Sequence, residues 1–284
     1  MNKINLAKAS KKILNDYFST KDPKIKKSLI SYGKKLTNRI VKEHIDKKKY
    51  FYVIKSLVDP KDIFAKEKVS FFCNFFGKKL IQNADGKKEI IVTPDVKLIS
   101  RHKYKQKDKI RYHQSNWGGS IHTDGPQLNL PPKILIMGCI NNSDIGGDSL
   151  IVNAKKILEY VKSKKIFNIL NKNFYFERRG FKFKNKNIFY KKIFETKNNK
   201  LLLFRYLREY IETAYRIKKI KINEDYIKAF DYLDALLFKK EFTTKTKLNS
   251  GDVIIINNHL LAHGRTKFKI NTSKPRSLIR VWIN

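Results

Sequence analysis

Cysteine is nearly absent: Cys73 and Cys139 are the only two in 284 residues. A pair of thiols cannot build a disulfide framework, and such scarcity fits a reducing compartment. No apolar run approaches the ~18 residues that a membrane span requires. The opening "MNKINLAKASKKIL" scatters lysines where a secretory signal would hold an apolar stretch, so a cytoplasmic protein without membrane association is expected. Glycine and proline are few, at 12 and 7, and no linker rich in either interrupts the chain. Internal repeats are missing. So are Gly-x-Gly-x-x-Gly and P-loop patterns, which leaves Gly146-Gly147 as a tight turn rather than a phosphate cradle. Acidic residues are also scarce, 25 against 63 lysines and arginines, for a formal charge of +38.

What is present argues for a large core. Hydrophobic residues make up 41%, with 19 Phe and 14 Tyr. The positive charge would draw in nucleic acid at low salt. However, the lysines are spread along the whole chain and not gathered into an arm, which reads better as a solvated surface. Residues 1–48 form a basic helical extension, broken at Asp22-Pro23. From Tyr50 the period changes. "YFYVIKSL", "EIIVTP", "KILIMGCI", Leu150–Val152, Phe174–Glu177, Ile188–Phe194, Leu201–Tyr206, "DVIIINN" and "RSLIRVWI" read as strands. The stretch "DPKDIFAKEKVSFFCNFFG" reads as a helix with Pro60 in its first turn. A helix capped by Asn153 buries Ile157, Leu158, Val161 and Ile166, and Glu224–Phe238 is a third. Lys97–Gly119 lacks periodicity and is expected to be a long loop. The fold class is α+β, with residues 49–284 as one domain whose non-alternating strands suggest a sandwich or barrel of jelly-roll type with flanking helices.

"SIHTDGPQL" (Ser120–Leu128) holds His122 and Asp124, two residues apart. On a strand end, both point to one side. A third candidate, His263, stands in "NNHLLAHGRTKF" beyond the strongest late strand. Two histidines and one carboxylate, with other positions open, are the ligand set of non-haem Fe(II) oxygenases. His113 and His259 compete as ligands, while His44 and His102 sit in basic surroundings typical of a surface.

Taken in order, "IHTDGPQLNLPPKILIMGCI", "IGGDSLIVNA", "LNSGDVIIINNHLLAHGRTKF" and "RSLIRVWI" resemble the TauD/TfdA-like Fe(II)- and 2-oxoglutarate-dependent dioxygenases, near the clavaminate-synthase-like branch. The resemblance runs from about Tyr50 to the C-terminus. It implies a double-stranded β-helix, with His122, Asp124 and His263 as iron ligands and with 2-oxoglutarate and O2 as cosubstrates. It further implies that Arg276, helped by the Ser149 hydroxyl where relatives commonly have threonine, holds the distal carboxylate of 2-oxoglutarate. Alternation puts Arg276, Leu278, Arg280 and Trp282 on one face of the last strand, with the two arginines about 13 Å apart. A buried guanidinium needs a partner and offers carboxylates a bidentate fork. Arg280 matches a position that holds an anionic substrate group in several relatives; a structural ion pair is the alternative. Asn116 and Trp117, in the loop Tyr112–Ser120, and Tyr206 and Arg208, on a strand "FRYLREY" expected over Phe204–Tyr210, are candidate pocket-wall residues, with Trp117 and Tyr206 open to a core role.

Chlorinating relatives have a small residue at the Asp124 position, so hydroxylation, desaturation or cyclisation is expected. The resulting expectation is a hydroxylase of a small, anionic metabolite such as a carboxylate, amino acid or sulfonate, releasing succinate and CO2. Its rivals are a basic nucleic-acid-associated protein and an oxygenase acting on a macromolecule or a carrier-tethered substrate. A homo-oligomer is left open.

Overall fold

Side chains that alternate between two different surroundings build the centre of this protein. The computed structural model describes residues 5–47, 49–101, 114–178 and 188–284. Five strands form the larger antiparallel sheet: β1 (Phe51–Ile54), β2 (Glu89–Val92), β4 (Ile134–Asn141), β11 (Val253–Asn257) and β13 (Ser277–Ile283). Their order is β1-β11-β4-β13-β2. Four strands form the smaller: β3 (Gly119–His122), β5 (Ser149–Asn153), β10 (Thr243–Thr246) and β12 (Leu261–Arg265), ordered β10-β5-β12-β3. Strands distant in sequence are neighbours throughout, which is how residues near 122 and 263 come to meet.

Between the sheets, Leu278 and Trp282 of β13 pack with Leu135, Cys139, Ile254 and Ile256, and with Ile151 and Leu261 of the smaller sheet. Ile279, Val281 and Ile283 face the other way. They share a cluster with Leu14 of α1 (Leu6–Ser19), Ile40 of α2 (Pro23–Ile40) and Phe72 of α3 (Ala65–Cys73). The alternation expected of the last strand is therefore present. On the far side, Ile121, Val152 and Ala262 pack against Ile157 and Leu158 of α5 (Ala154–Val161) and Phe230 and Leu233 of α8 (Glu224–Leu237). Two hairpins, β6 (Asn173–Glu177) with β7 (Ile188–Lys192) and β8 (Phe194–Lys197) with β9 (Lys200–Phe204), complete that layer.

Caps fix the helix starts. The Asp22 carboxylate accepts from Lys24 N at 2.7 Å, with Pro23 in the first turn, and Asn153 Oδ1 accepts from Lys156 N at 3.1 Å. Four boundaries differ from the sequence reading. The helix expected at Pro60 begins only at Ala65, because Asp59 and Asp62 take the N–H groups of Lys61 and Phe64 into turns at 2.9 and 2.8 Å. The helix after Asn153 stops at Val161, and Ile166 opens a separate one, α6 (Ile166–Leu170). The strand expected over Ile188–Phe194 is split between two hairpins. The strand expected across Phe204–Tyr210 ends at Phe204 and gives way to α7 (Arg208–Ile217), which buries Ile211, Ala214 and Tyr215 at helical spacing.

The expected loop from Lys97 begins as a short helix, α4 (Val96–Arg101). His102, Tyr112 and His113 lie outside the described residues. Among the described residues, no helix is long and apolar enough to cross a membrane.

Candidate metal centre

Strands β3 and β12 are antiparallel neighbours, and their register places His122 directly opposite His263. The ring centroids are 4.6 Å apart. Asp124 lies just past the end of β3, and its carboxylate reaches both rings: Oδ1 is 3.7 Å from His122 Nε2 and Oδ2 is 4.0 Å from His263 Nε2. These separations are too long for hydrogen bonds. They are short enough for a single ion to bond both atoms of each pair, since two bonds of about 2.1 Å span roughly 4.2 Å. All three residues are buried, and one ligand atom from each lies within 4.8 Å of the others. His259 joins no such cluster among the described residues; its Nε2 lies 3.1 Å from the Pro131 carbonyl. His44 stacks on Tyr52 at 4.4 Å.

The protonation states suit a cation. His122 Nδ1 lies 2.6 Å from the Ser120 carbonyl, which can only accept, so Nδ1 donates there and Nε2 is the ring atom left facing Asp124. Burial first, then the neighbouring His122, pushes the His263 imidazole down to about 3, against the opposing pull of Asp124. It is neutral at pH 7. Burial would raise the Asp124 carboxyl, but Arg280, followed by the two histidines, outweighs it and holds the group well below the usual carboxylate range. A neutral His263 imidazole and an ionised Asp124 carboxylate thus stand beside the His122 ring, and this donor set fits a divalent iron.

The surrounding chain holds Asp124 firmly. Asn258 is fully buried; its Oδ1 accepts from Asp124 N at 2.8 Å and its Nδ2 donates to Asp124 O at 2.9 Å. The carboxylate accepts from Arg280 Nη1 at 3.1 Å and from Trp282 Nε1 at 2.9 Å. A cavity of about 130 Å³ opens beside the triad, and Ser149, Arg276 and Arg280 line it with His122, Asp124 and His263. Arg276 is 5% exposed, donates to Gly147 O at 3.3 Å and lies over the Phe268 ring. Gly147 must be glycine here. Its φ is +74°, and a Cβ would sit 2.7 Å from Ser143 Oγ and 3.0 Å from Arg276 Nε.

Six of the ten residues singled out in the sequence are thus brought together, and four are not. Asn116 pairs with Phe268, Nδ2 donating to its carbonyl at 3.1 Å, and the Trp117 carbonyl accepts from Arg265. Neither is among the described lining residues. Tyr206 is fully buried, with its hydroxyl donating to Asp234 at 2.6 Å. Arg208 opens α7 and pairs with Glu212, Asp231 and Asp234. The expectation for these two rested on a strand that is a helix start instead. Arg280 lines the cavity, but its guanidinium is turned to Asp124 and to Gln82 Oε1, the latter at 2.9 Å.

Sequence reasoning missed Asn258, Arg265, Gln127, Glu209 and Arg205. The last is 2% exposed; it bonds Glu195 at 2.7 Å and donates to the carbonyls of Pro126, Leu128 and Asn129 at 3.1, 2.6 and 3.0 Å. Arg205→Met should lower unfolding stability by roughly 3 kcal/mol, because three carbonyls and a carboxylate lose their donor. Thermal denaturation checks this; an unchanged midpoint would remove Arg205 as the clamp of this loop.

A buried pair of imidazoles with one carboxylate, opening on an arginine-lined cavity, is an arrangement that could hold a metal ion. The chain belongs to the taurine catabolism dioxygenase TauD, TfdA family, which it matches over residues 47–282. It is 29% identical to gamma-butyrobetaine dioxygenase of Homo sapiens over 164 residues, 56% of this chain. That segment covers 42% of the human protein, less than half of its length. Its fold is similar to that of asparagine oxygenase solved with Fe(II), 2S,3S-3-hydroxyasparagine and succinate, with a TM-score of 0.71 at 12% identity, covering 99% of this chain and 92% of the other. The non-heme iron oxygenase OrfP, solved with Fe and alpha-ketoglutaric acid, gives a TM-score of 0.64 at 14% identity, with the same two coverages of 99% and 92%.

Proposed function

We propose that this protein is an Fe(II)- and 2-oxoglutarate-dependent dioxygenase that hydroxylates an unactivated C–H bond of a small metabolite carrying an acidic group, releasing succinate and CO2. One observation carries the reading: the buried His122–Asp124–His263 cluster shares its cavity with Arg276 and Ser149. His122 and His263 would hold the iron through Nε2, and Asp124 through a carboxylate already oriented by Arg280 and Trp282. The bound iron supplies the redox chemistry that couples O2 reduction to decarboxylation of 2-oxoglutarate and oxidation of the substrate. The Arg276 fork suits the distal carboxylate of 2-oxoglutarate, and the Ser149 hydroxyl, 4% exposed, adds a donor beside it. Leu278, Trp282 and Met137 form apolar walls that exclude water and keep a bound C–H in place.

The cavity of about 130 Å³ favours a small molecule over a macromolecule. Relatives solved with amino-acid products support the same size class. The two facing sheets are consistent with a double-stranded β-helix, and the family match from residue 47 supports assigning 49–284 to the catalytic domain and 1–48 to a helical extension. Free, buried Cys73 and Cys139 favour a cytoplasmic setting. A panel of small carboxylic, amino and sulfonic acids, given to the iron-loaded protein with 2-oxoglutarate, tests this. At least one member should raise succinate formation above the uncoupled rate. No response to any of them, together with nucleic acid bound at physiological salt, would transfer the reading to a nucleic-acid-associated protein.

A further inference from the structure

The turn after Asp124 is held more firmly than the metal ligands alone require. The Gly125 carbonyl, at φ +65°, accepts from Leu128 N at 3.0 Å and closes a turn around Pro126 and Gln127. Arg205 then donates to the carbonyls on either side of Gln127, at 3.1 and 2.6 Å. Backbone that Gln127 does not itself hold thus delivers its side chain to one place. The residue is 3% exposed, lines the cavity of the triad, and has a buried Oε1 with no hydrogen-bond partner. Buried amide oxygens are nearly always paired, and an unpaired one is unfavourable. The cavity is where its partner can arrive.

Two charges indicate what that partner is. Glu209, in the first turn of α7, is an acidic residue on the wall of the same cavity. Arg280, the cation that a simple acid would use, is engaged by Asp124 and Gln82. Resting on the oxygenase reading above, we infer that Gln127 is a specificity-determining residue that accepts a hydrogen bond from an ammonium group of the substrate, with Glu209 as counter-charge. The substrate class is then a small amino acid, in preference to an acid of the same skeleton without the amine. The amine hydrogen bond to Gln127 selects and orients; it takes no part in the oxidation itself.

The test uses full-length protein loaded with Fe(II) and 2-oxoglutarate without oxygen, titrated by calorimetry with matched pairs. The probes are the common L-amino acids against their desamino counterparts, such as L-asparagine against succinamate and L-arginine against 5-guanidinopentanoate. To these are added 4-aminobutanoate against butanoate, and gamma-butyrobetaine as an ammonium without N–H. At least one amino member should bind tenfold or more tightly than its partner. For that pair Gln127→Leu should shrink the preference by roughly 10- to 100-fold, as expected when one hydrogen bond to a buried group is lost. Gln127→Glu should retain it.

If wild-type protein binds 2-oxoglutarate but no amino member is preferred, the inference fails while the oxygenase reading stands. A preference that Gln127→Leu keeps in full also overturns it. Failure to bind 2-oxoglutarate at all would remove the oxygenase reading and this one together. Should Gln127→Leu not fold, Gln127→Glu and the wild-type comparison of 4-aminobutanoate with gamma-butyrobetaine decide the matter. Equal affinity for those two would show that no N–H is read.

Discussion

His263→Ala is expected to bring 2-oxoglutarate-dependent succinate formation to background while leaving the metal-free protein folded. Asp124→Ala is expected to do the first and to weaken the fold as well. The difference follows from what each side chain gives its neighbours. His263 is buried and neutral, and its Nδ1 has no hydrogen-bond partner, so truncation removes packing but no bond at that atom. A loss of roughly 1–3 kcal/mol is the expected size for such a cavity. Asp124 instead accepts from Arg280 and Trp282, and the Arg280 side chain is only 14% exposed. Removing the carboxylate strands a mostly buried cation and an indole N–H, which costs about 3–5 kcal/mol. Iron bound per chain, succinate released and unfolding without metal are the three measurements. Retained turnover in both variants would show the ligand set to be wrong. Equal stability losses would show that the Asp124 ion pair contributes nothing to the fold.

The contrast also shows why the site's candidate ligands were legible in the sequence and its supports were not. His122 and Asp124 announce themselves through a two-residue spacing, and His263 through its place beside the apolar run Val253–Asn257. The faces of β13 followed from period-two alternation, and the structure puts Leu278 and Trp282 inside and Ile279, Val281 and Ile283 outside. Asn258, by contrast, works through its amide against the backbone of Asp124, 134 positions earlier in the chain. No local pattern encodes such a contact. Arg205 was hidden for the same reason: its four partners come from β8 and from the loop after Asp124.

Boundaries failed where side chains competed with the backbone. Asp59 and Asp62 delayed α3 by drawing nearby N–H groups into turns. At Phe204–Tyr210 the aromatic run favoured a strand, yet Ile211, Ala214 and Tyr215, just downstream, carried the helical spacing that prevailed. Arg208 could be recruited to acidic neighbours on α7 and α8 only once that helix had formed. The pocket wall was therefore the least readable part. Gln82, Leu207, Glu209 and Tyr210 contribute to it, and none of them belongs to a motif.

Arg276 and Arg280 should fail differently when shortened, although both line the same cavity, Arg276 from just before β13 and Arg280 from within it. Arg276→Ala takes away the fork proposed for the distal carboxylate of 2-oxoglutarate. Loss of such a charge-assisted contact costs on the order of 2–5 kcal/mol, so the KM for 2-oxoglutarate should rise by roughly 30-fold to several thousand-fold whichever substrate is present. Gly147→Ala should give a milder version of the same defect, since a Cβ there lies 3.0 Å from Arg276 Nε and displaces the guanidinium. Arg280→Ala removes the donor to Asp124 Oδ1 and to Gln82 Oε1. It should weaken Fe(II) binding and leave the KM for 2-oxoglutarate within a few-fold of wild type once iron is saturating. Iron titration and steady-state kinetics at saturating iron separate the two. A rise in that KM with Arg280→Ala as large as with Arg276→Ala would assign both guanidiniums to the cosubstrate. Unchanged iron affinity in Arg280→Ala, with a weakened acidic substrate, would make Arg280 the anion clamp that its position on the strand first suggested.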